Sequence, residues 1–233
     1  PPDFYPAFEQ VERLPMDALS CAGNRKAYTL EEVNGGAMDG RIVFNSISDS
    51  DIGHEFDFVG ARINTGKNQG AKNIWASTAI KAEENTTYLV RLYVHNNSRW
   101  REDVAEDVSI RFLIEDTKAV TENDIALKGV NSGYGYYAAA VYGFIYASNA
   151  EPSEYMDGVK FVSDRPFHLE YIPGTALYEN RGIGSRPGYR LSNEIVSSGV
   201  SIGFAAMDGR IPGCYAYSSF TTILVMPVFE KTE

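Results

Sequence analysis

The feature that most constrains the fold of this chain is a run of alternating apolar and polar residues between positions 86 and 115. One face of its first half carries Tyr88, Val90, Leu92 and Val94. One face of its second half carries Val108, Ile110, Phe112 and Ile114. Because successive side chains of a strand point to opposite faces, this alternation predicts two half-buried antiparallel strands, 86–96 and 107–115, joined by a polar loop. We expect both strands in or near the centre of the fold.

The rest of the composition agrees with a β-protein. Fifteen Tyr and 12 Phe favour strands, and 21 Gly and 10 Pro favour the turns between them. We therefore predict an all-β sandwich, immunoglobulin-like or jelly-roll, over residues 37–233. Further strands are expected at 40–46, 55–63, 134–149, 158–163, 167–172, 200–204 and 217–229. The stretch 134–149 is predicted to bend at Gly143, and a buried helix is the alternative for 136–142. Pro227 lacks an N–H, which predicts an edge position late in the last strand.

Residues 1–36 show no steady period and begin with the sequence PPDFYPAF. Proline biases this stretch towards extended backbone, so we predict an N-terminal arm, with Phe4, Tyr5 and Phe8 as its anchors. The arm either packs on its own sandwich or pairs with a neighbouring molecule as a donor strand.

The net charge excludes several classes of partner. The chain carries 31 acidic and 21 basic residues, a formal net charge of −10. Nucleic acids and anionic membranes require a basic surface, so neither is expected as the main partner. No run of about 18 apolar residues occurs, and no membrane span is predicted.

The sequence predicts no catalytic site. Residues 199–203 match G-x-S-x-G around Ser201, but the stretch before the next Asp-Gly turn is too short for the helix that a nucleophile elbow requires. The three histidines, His54, His95 and His168, lack metal-ligand spacing, and we interpret them as surface or sheet-face residues. A glycosidase would need two carboxyl groups facing one cleft, which the sequence alone does not test.

One acidic segment and two cysteines leave alternatives open. Asp49, Asp51 and Glu55 could offer oxygen ligands to calcium, but a solvated acidic loop is the ordinary explanation, and no cofactor is expected. Cys21 and Cys214 are either two buried thiols or one disulfide between the arm and a late strand. In the chain-entropy model a loop of that length would contribute about 5 kcal/mol.

Four segments together resemble a group of bacterial exported proteins built on the repeat modules of surface proteins. These segments are 43–62, 85–98 followed by 102–114, 167–180 and 208–228. They contain the motifs VHNN at 94–97, DVSIRF at 107–112, LEYIPGTA at 169–176, IPGCY at 211–215 and the alternating strand 221–228. The resemblance spans about residues 40–229, with IPGCY as its most specific part. It implies an immunoglobulin-like sandwich, secretion and a location at the cell surface, and it supplies no catalytic residues.

Two functions are consistent with that location. The first is a non-enzymatic structural subunit of an extracellular, pilus-like filament or layer, in which the N-terminal donor arm completes the sheet edge of the next copy. The second is an adhesin module that binds carbohydrate or a host protein through loops 97–107 and 174–192. Its site residues would be Tyr178, Arg181, Arg186 and Tyr189.

Overall fold

The computed structural model describes residues 25–65, 75–119, 137–185 and 187–230. These residues form two six-stranded sheets, which confirms the predicted all-β sandwich. The strands are β1 (Val59–Ile63), β2 (Ala79–Lys81), β3 (Tyr88–Val94), β4 (Ser109–Ile114), β5 (Lys118–Ala119), β6 (Tyr137–Tyr146), β7 (Glu154–Ser163), β8 (Phe167–Tyr171), β9 (Leu177–Asn180), β10 (Tyr189–Arg190), β11 (Val200–Ser201) and β12 (Ser219–Phe229). The described helices are α1 (Leu30–Asn34) and two short 3-10 helices, Asn193–Val196 and Tyr215–Tyr217. None of the helices in these four ranges is long and apolar enough to cross a bilayer.

The first sheet has the order β1-β3-β12-β9-β10, and β8 pairs with the far end of β12. The second sheet has the order β11-β4-β6-β7-β2, and β5 extends beside β6. All neighbouring strands in the described ranges are antiparallel except β2 and β7, which are parallel. One hydrophobic core fills the space between the two inner faces.

The two strands of segment 86–115 do not pair with each other, which corrects the expectation of a central pair. β3 lies inside the first sheet between β1 and β12, whereas β4 belongs to the second sheet. β4 is half-buried as predicted, since Ile110 and Phe112 enter the core and Leu113 is exposed. β3 is buried on both faces, because Arg91 stacks between Trp75 and Phe220 on the side away from the core.

The last strand confirms the edge position of Pro227. Residues Ser219 to Val225 of β12 pair with β3, and residues from Val225 onwards pair with β8 on the opposite side. The pairing of β12 with β3 ends at Val225, and beyond it that side of β12 has no partner strand among the described residues. Pro227 thus lies where a missing N–H costs no ladder hydrogen bond.

The part of the predicted arm that the structure describes is packed on the sandwich. Tyr28 forms a parallel bridge with Ile47, and both side chains are buried. Helix α1 follows at once because Thr29 and Glu32 form a capping box, which satisfies two N–H groups of its first turn.

The stretch predicted as a strand at 40–46 is not a strand. It contributes only an isolated bridge from Phe44 to Asn96. Asn45 adopts a φ of +43° there, which interrupts an extended backbone.

A buried aspartate joins the two sheets and predicts a pH dependence of stability. Asp157 on β7 accepts a hydrogen bond from the Val59 N–H of β1 at 2.7 Å. Burial raises its pKa well above the ordinary value, so the folded state holds the proton to higher pH than the unfolded chain. The stability that this proton contributes is therefore present at low pH and is lost as pH rises through the folded pKa.

We expect Asp157→Asn to abolish that loss. In urea unfolding over a pH series, the free energy of unfolding of the wild type should fall relative to that of the variant as pH rises above about 4. Asp51→Asn, on an exposed loop, is the matched control and should keep the wild-type slope. Parallel curves for wild type and Asp157→Asn would contradict this assignment.

Candidate functional site

The loop between β3 and β4 crosses from one sheet to the other and is built on buried polar residues. His95, Asn96, Asn97 and Ser98 are each no more than 4% exposed. Buried polar groups are stable only when their hydrogen bonds are satisfied, so this run must be fixed by its neighbours. The loop is consequently a defined structure rather than a solvated connection.

The centre of this structure is the side chain of Glu55, which is 1% exposed. Glu55 Oε1 lies 2.9 Å from His95 Nδ1, and Glu55 Oε2 accepts a hydrogen bond from Asn97 Nδ2 at 2.6 Å. The Ser46 N–H donates to Asn97 Oδ1 at 2.6 Å, which fixes the orientation of the amide. Asn97 Nδ2 therefore faces Glu55, and the carboxylate accepts from both neighbours. Asn97 Nδ2 also lies 2.9 Å from His95 Nδ1, and because a carboxylate oxygen only accepts, the contact with Glu55 Oε1 assigns the His95 proton to Nδ1.

Two further asparagines anchor the backbone on either side. Asn45 donates to the Tyr93 carbonyl at 2.8 Å and accepts from the His95 N–H at 2.9 Å. Asn96 donates to the carbonyls of Asp103 at 2.8 Å and Ile211 at 3.2 Å. The loop is thus tied both to the strand that precedes it and to the distant segment 211–215.

Segment 211–215 packs directly against the loop. Ile211 forms an antiparallel bridge with Ala105, and the Cys214 N–H donates to the Ser98 carbonyl at 2.5 Å. A Cβ at Gly213 would collide with the Trp100 carbonyl oxygen, so no larger residue fits there. The Tyr215 ring lies 5.9 Å from the His95 ring, edge to face. These contacts join the IPGCY segment at 211–215 to the VHNN segment at 94–97 in the folded chain.

The repeated hexapeptide AMDGRI, at 37–42 and 206–211, contacts the same loop from two sides. In the first copy the Gly40 N–H donates to Asp103 Oδ2 at 2.9 Å. In the second copy the Gly209 carbonyl accepts from the Val108 N–H at 2.9 Å, and Arg210 pairs with Glu106 at 3.2 Å. Both copies turn at a glycine with positive φ, +70° and +78°. The sequence echo therefore marks two turns that hold one loop.

This scaffold presents Trp100 to solvent. The Trp100 side chain is 50% exposed, the largest exposed fraction among the big apolar residues in the described part of the chain. The Arg99 guanidinium lies 4.9 Å from its ring centroid, and Asp39 accepts from Arg99 Nε at 2.8 Å and Nη2 at 2.7 Å. These hydrogen bonds from Arg99, with a further one from the Trp100 indole, hold the pKa of Asp39 below its usual range. The indole is therefore fixed in orientation while half of it meets water.

One turn along the chain from Trp100 lies a polar cleft of about 340 Å³, and Trp100 itself is not part of its lining. Its lining consists of Gly40, Arg41, Ile42, Asp103, Val104, Asn149 and Glu151. The Asp103 N–H donates to the Trp100 carbonyl at 3.1 Å, so Asp103 in the cleft wall is one turn from the Trp100 backbone. Asn149 bonds to the backbone on both sides of its amide and so forms part of the wall. Arg41 and Glu151 offer side chains of opposite charge, with N and O 4.0 Å apart.

Some of the site residues predicted from sequence lie outside the described residues. These are Phe4, Tyr5, Phe8, Cys21 and Arg186. Cys214 is partly buried, and no second cysteine lies in the described ranges. A bond between Cys214 and Cys21 stays a prediction.

The other predicted ligand-binding residues do not form one surface. Tyr178 is fully buried, and its hydroxyl donates to the Gly203 carbonyl at 3.0 Å. Its ring belongs to the core and does not face a ligand. Tyr189, on β10 opposite Tyr178 in the ladder, is 40% exposed, and the Arg181 guanidinium lies 5.8 Å from the Tyr215 ring.

The acidic residues considered as calcium ligands do not lie together in the structure. Asp49 accepts from the Leu30 N–H of α1 at 2.6 Å, whereas Glu55 is enclosed with His95. No group of three or more His, Cys, Asp or Glu residues in the described ranges is arranged to hold a metal ion. Ser201 lies in β11, and its hydroxyl contacts the Val108 carbonyl at 3.4 Å.

Sequence reasoning missed Trp100 and assigned His95 to a surface or sheet face. A lone Trp in a charged loop gives no periodic signal, and His95 continues the alternation of the strand before it. Comparisons with family models, curated proteins and solved structures gave no match.

Proposed function

We propose that the protein is a non-enzymatic carbohydrate-binding module of an exported bacterial surface protein. The observation that carries the proposal is the half-exposed Trp100, which Arg99 and Asp39 hold in place one turn along the chain from a polar cleft. A fixed aromatic face stacks on the apolar face of a sugar ring at little conformational cost, and Trp is enriched among residues that dominate binding. The exported location rests on the resemblance of this sequence to surface modules.

The cleft supplies the polar half of such a site. Sugar recognition combines an apolar platform with a few oriented donors and acceptors. Arg41 and Glu151 supply these groups, and Asp103 Oδ2 is oriented by Gly40 and by Ser98, whose hydroxyl donates to it. The acidic net charge of the chain favours neutral over anionic glycans.

We expect Trp100→Ala to weaken binding to a neutral polysaccharide at least about tenfold, since truncating a central aromatic residue typically removes about 1.4 kcal/mol or more. A glycan array with the soluble wild type would select the ligand, and isothermal titration calorimetry would measure the loss. Trp100→Phe keeps a ring and should lose less affinity than Trp100→Ala.

Tyr146→Ala is the matched control, because Tyr146 is 42% exposed on β6 in the second sheet. It should bind as the wild type does. No binding to any glycan, or equal affinities for wild type and Trp100→Ala, would refute the proposal. Turnover of a bound glycan that Glu151→Gln abolishes would instead indicate a glycosidase, with Asp103 and Glu151 facing one cleft.

A second function is a filament subunit assembled by strand complementation, in which an extended segment adds to an unpaired sheet edge. Beyond Val225, the side of β12 that β3 no longer covers faces no strand in the described residues. The predicted donor residues Phe4, Tyr5 and Phe8 lie outside the described ranges. Filaments in negative-stain microscopy that disappear on deleting residues 1–15 would support this function, whereas filaments that survive the deletion would exclude the arm as donor.

A further inference from the structure

The sequence contains two N-glycosylation sequons of the form Asn-x-Ser/Thr, and the structure places them in opposite environments. The first, at residues 85–87, lies in the turn before β3, and the second, at residues 96–98, lies in the loop after it. Oligosaccharyltransferases recognise the asparagine together with the hydroxyl residue two positions on, and they need that segment on an accessible surface. The surroundings of each asparagine therefore decide which sequon serves as an acceptor.

Asn85 is exposed and lies in a tight turn. Its φ of +57° is a turn conformation that asparagine adopts more readily than most other residues. Within the described ranges no hydrogen bond engages its side-chain amide. The nitrogen that a transferase would glycosylate is thus not committed to a partner in the protein.

The turn is anchored at residues on either side of the acceptor. The Glu83 N–H donates to Tyr88 Oη at 2.9 Å. On the other side the Thr87 carbonyl accepts from the Asn64 N–H at 2.8 Å. Asn85 consequently lies on a short turn with an anchored base, and an enzyme that binds the turn does not require β3 to open.

Asn96 is unavailable for the same reaction in the folded protein. It is 0% exposed, and its Nδ2 donates to the carbonyls of Asp103 and Ile211 at 2.8 and 3.2 Å. The other two residues of its sequon, Asn97 and Ser98, are no more than 1% exposed. The amide nitrogen of Asn96 is therefore already used as a donor inside the buried loop.

We propose that the folded protein is an acceptor for N-linked glycosylation at Asn85 and not at Asn96. The donor is a lipid-pyrophosphate-linked oligosaccharide. A bond forms between Asn85 Nδ2 and C1 of the first sugar as the bond between C1 and the pyrophosphate oxygen breaks. Nδ2 loses one proton, and the lipid pyrophosphate leaves with the bonding electron pair. The exported location that the sequence resemblance implies brings the chain to the compartment where secreted proteins are glycosylated.

A glycan on Asn85 lies away from the candidate site. Asn85 precedes β3 and Trp100 follows it, and a strand of seven residues at about 3.3 Å each is about 20 Å long. The two residues therefore lie beyond opposite ends of the strand, so the glycan leaves Trp100 accessible.

Glycosylation of the purified, folded full chain tests the proposal. With a lipid-linked oligosaccharide and a single-subunit oligosaccharyltransferase that requires only the sequon, the chain should gain one glycan, which glycopeptide mass spectrometry locates at Asn85. Peptides spanning residues 82–89 and 93–100 should both be modified, because neither has a tertiary structure. Modification of Asn96 should be at least about a hundredfold slower in the folded chain than in its peptide, since the loop must open first.

Variants at the acceptor turn provide matched controls. Thr87→Ser keeps the hydroxyl that the transferase recognises and should remain a substrate, whereas Thr87→Val and Asn85→Gln should lose the glycan. A folded chain that stays unmodified while peptide 82–89 is modified overturns the proposal, and so does a peptide 82–89 that is not modified. A glycan on Asn96 of the folded chain, or one that Asn85→Gln retains, overturns it as well.

Discussion

Glu55→Ala should destabilise the protein by about 3–5 kcal/mol, the largest loss of stability that we expect from a single substitution. Glu55 is the shared acceptor for His95 and Asn97, at 2.9 and 2.6 Å. Its removal leaves two buried donors without this partner, and the desolvation cost of each is then uncompensated. Urea unfolding followed by tryptophan fluorescence and circular dichroism would measure the change in the free energy of unfolding.

An exposed glutamate provides the matched control. Glu102→Ala removes a side chain that is 72% exposed and pairs with Arg101 at 3.3 Å, so it should change stability by less than about 0.5 kcal/mol. Equal effects of Glu55→Ala and Glu102→Ala would show that the buried cluster does not stabilise the fold.

A polarity swap separates the hydrogen-bond pattern from side-chain size. Glu55→Gln replaces one of the two acceptor oxygens with an amide donor, and when the remaining oxygen faces the His95 Nδ1–H, that donor faces Asn97 Nδ2. The double variant Glu55→Gln with Asn97→Asp then restores a donor facing an acceptor. The carboxylate introduced at position 97 would still accept from the Ser46 N–H. We expect the double variant to recover at least about 1 kcal/mol relative to the sum of the single variants.

Gly143→Ala should cost about 1–3 kcal/mol by overfilling the space between the sheets. Gly143 lies on the core-facing side of β6, where a Cβ would lie 2.6 Å from Val59 Cγ2 and 2.7 Å from Leu92 Cδ1 of the facing sheet. Such distances require the sheets to separate or the side chains to leave their rotamers. The midpoint of urea unfolding should fall while its slope stays constant.

A cycle with Val59→Ala tests the mechanism. Trimming Val59 removes one of the two clashing groups, so the double variant should be more stable than the sum of the single changes predicts, by about 0.5 kcal/mol or more. Purely additive effects on the free energy of unfolding would mean that glycine is required at position 143 for the backbone conformation of β6, and not for the close contact between the two sheets. The sequence suggested a bend at this glycine, whereas β6 pairs with β7 through Gly143, opposite Asp157.

The strands were largely predictable because local alternation determines which face of a strand is buried. β4, β6, β8 and β12 all lie within or across stretches expected to be strands, and β7 extends the one expected at 158–163. Partner choice was not predictable, since alternation is the same whichever sheet a strand joins. β3 and β4 follow each other in the chain, yet the loop between them crosses the sandwich.

The sequence predicted the candidate site less well than it predicted the fold. The loop at 97–107 was one of two predicted binding loops, but the residues named for binding came from the other loop, and Tyr178 among them is in the core. Trp100 carries no local pattern, and its orientation depends on Asp39 and Arg99, which are 60 residues apart. Contacts of that separation exist only in the folded chain.

The sequence alone determined that this protein is a β-sandwich, because period-two alternation and turn residues act over a few positions. Only the tertiary structure decided that the polar residues after β3 are buried, because His95 and Asn97 must be brought to Glu55, which precedes them by 40 and 42 residues. A polar residue looks the same in a sequence whether water or a buried partner satisfies it. The tertiary contacts with Glu55 satisfy the polar residues after β3, so a segment that the sequence suggests is a solvated loop is a buried structure that supports Trp100.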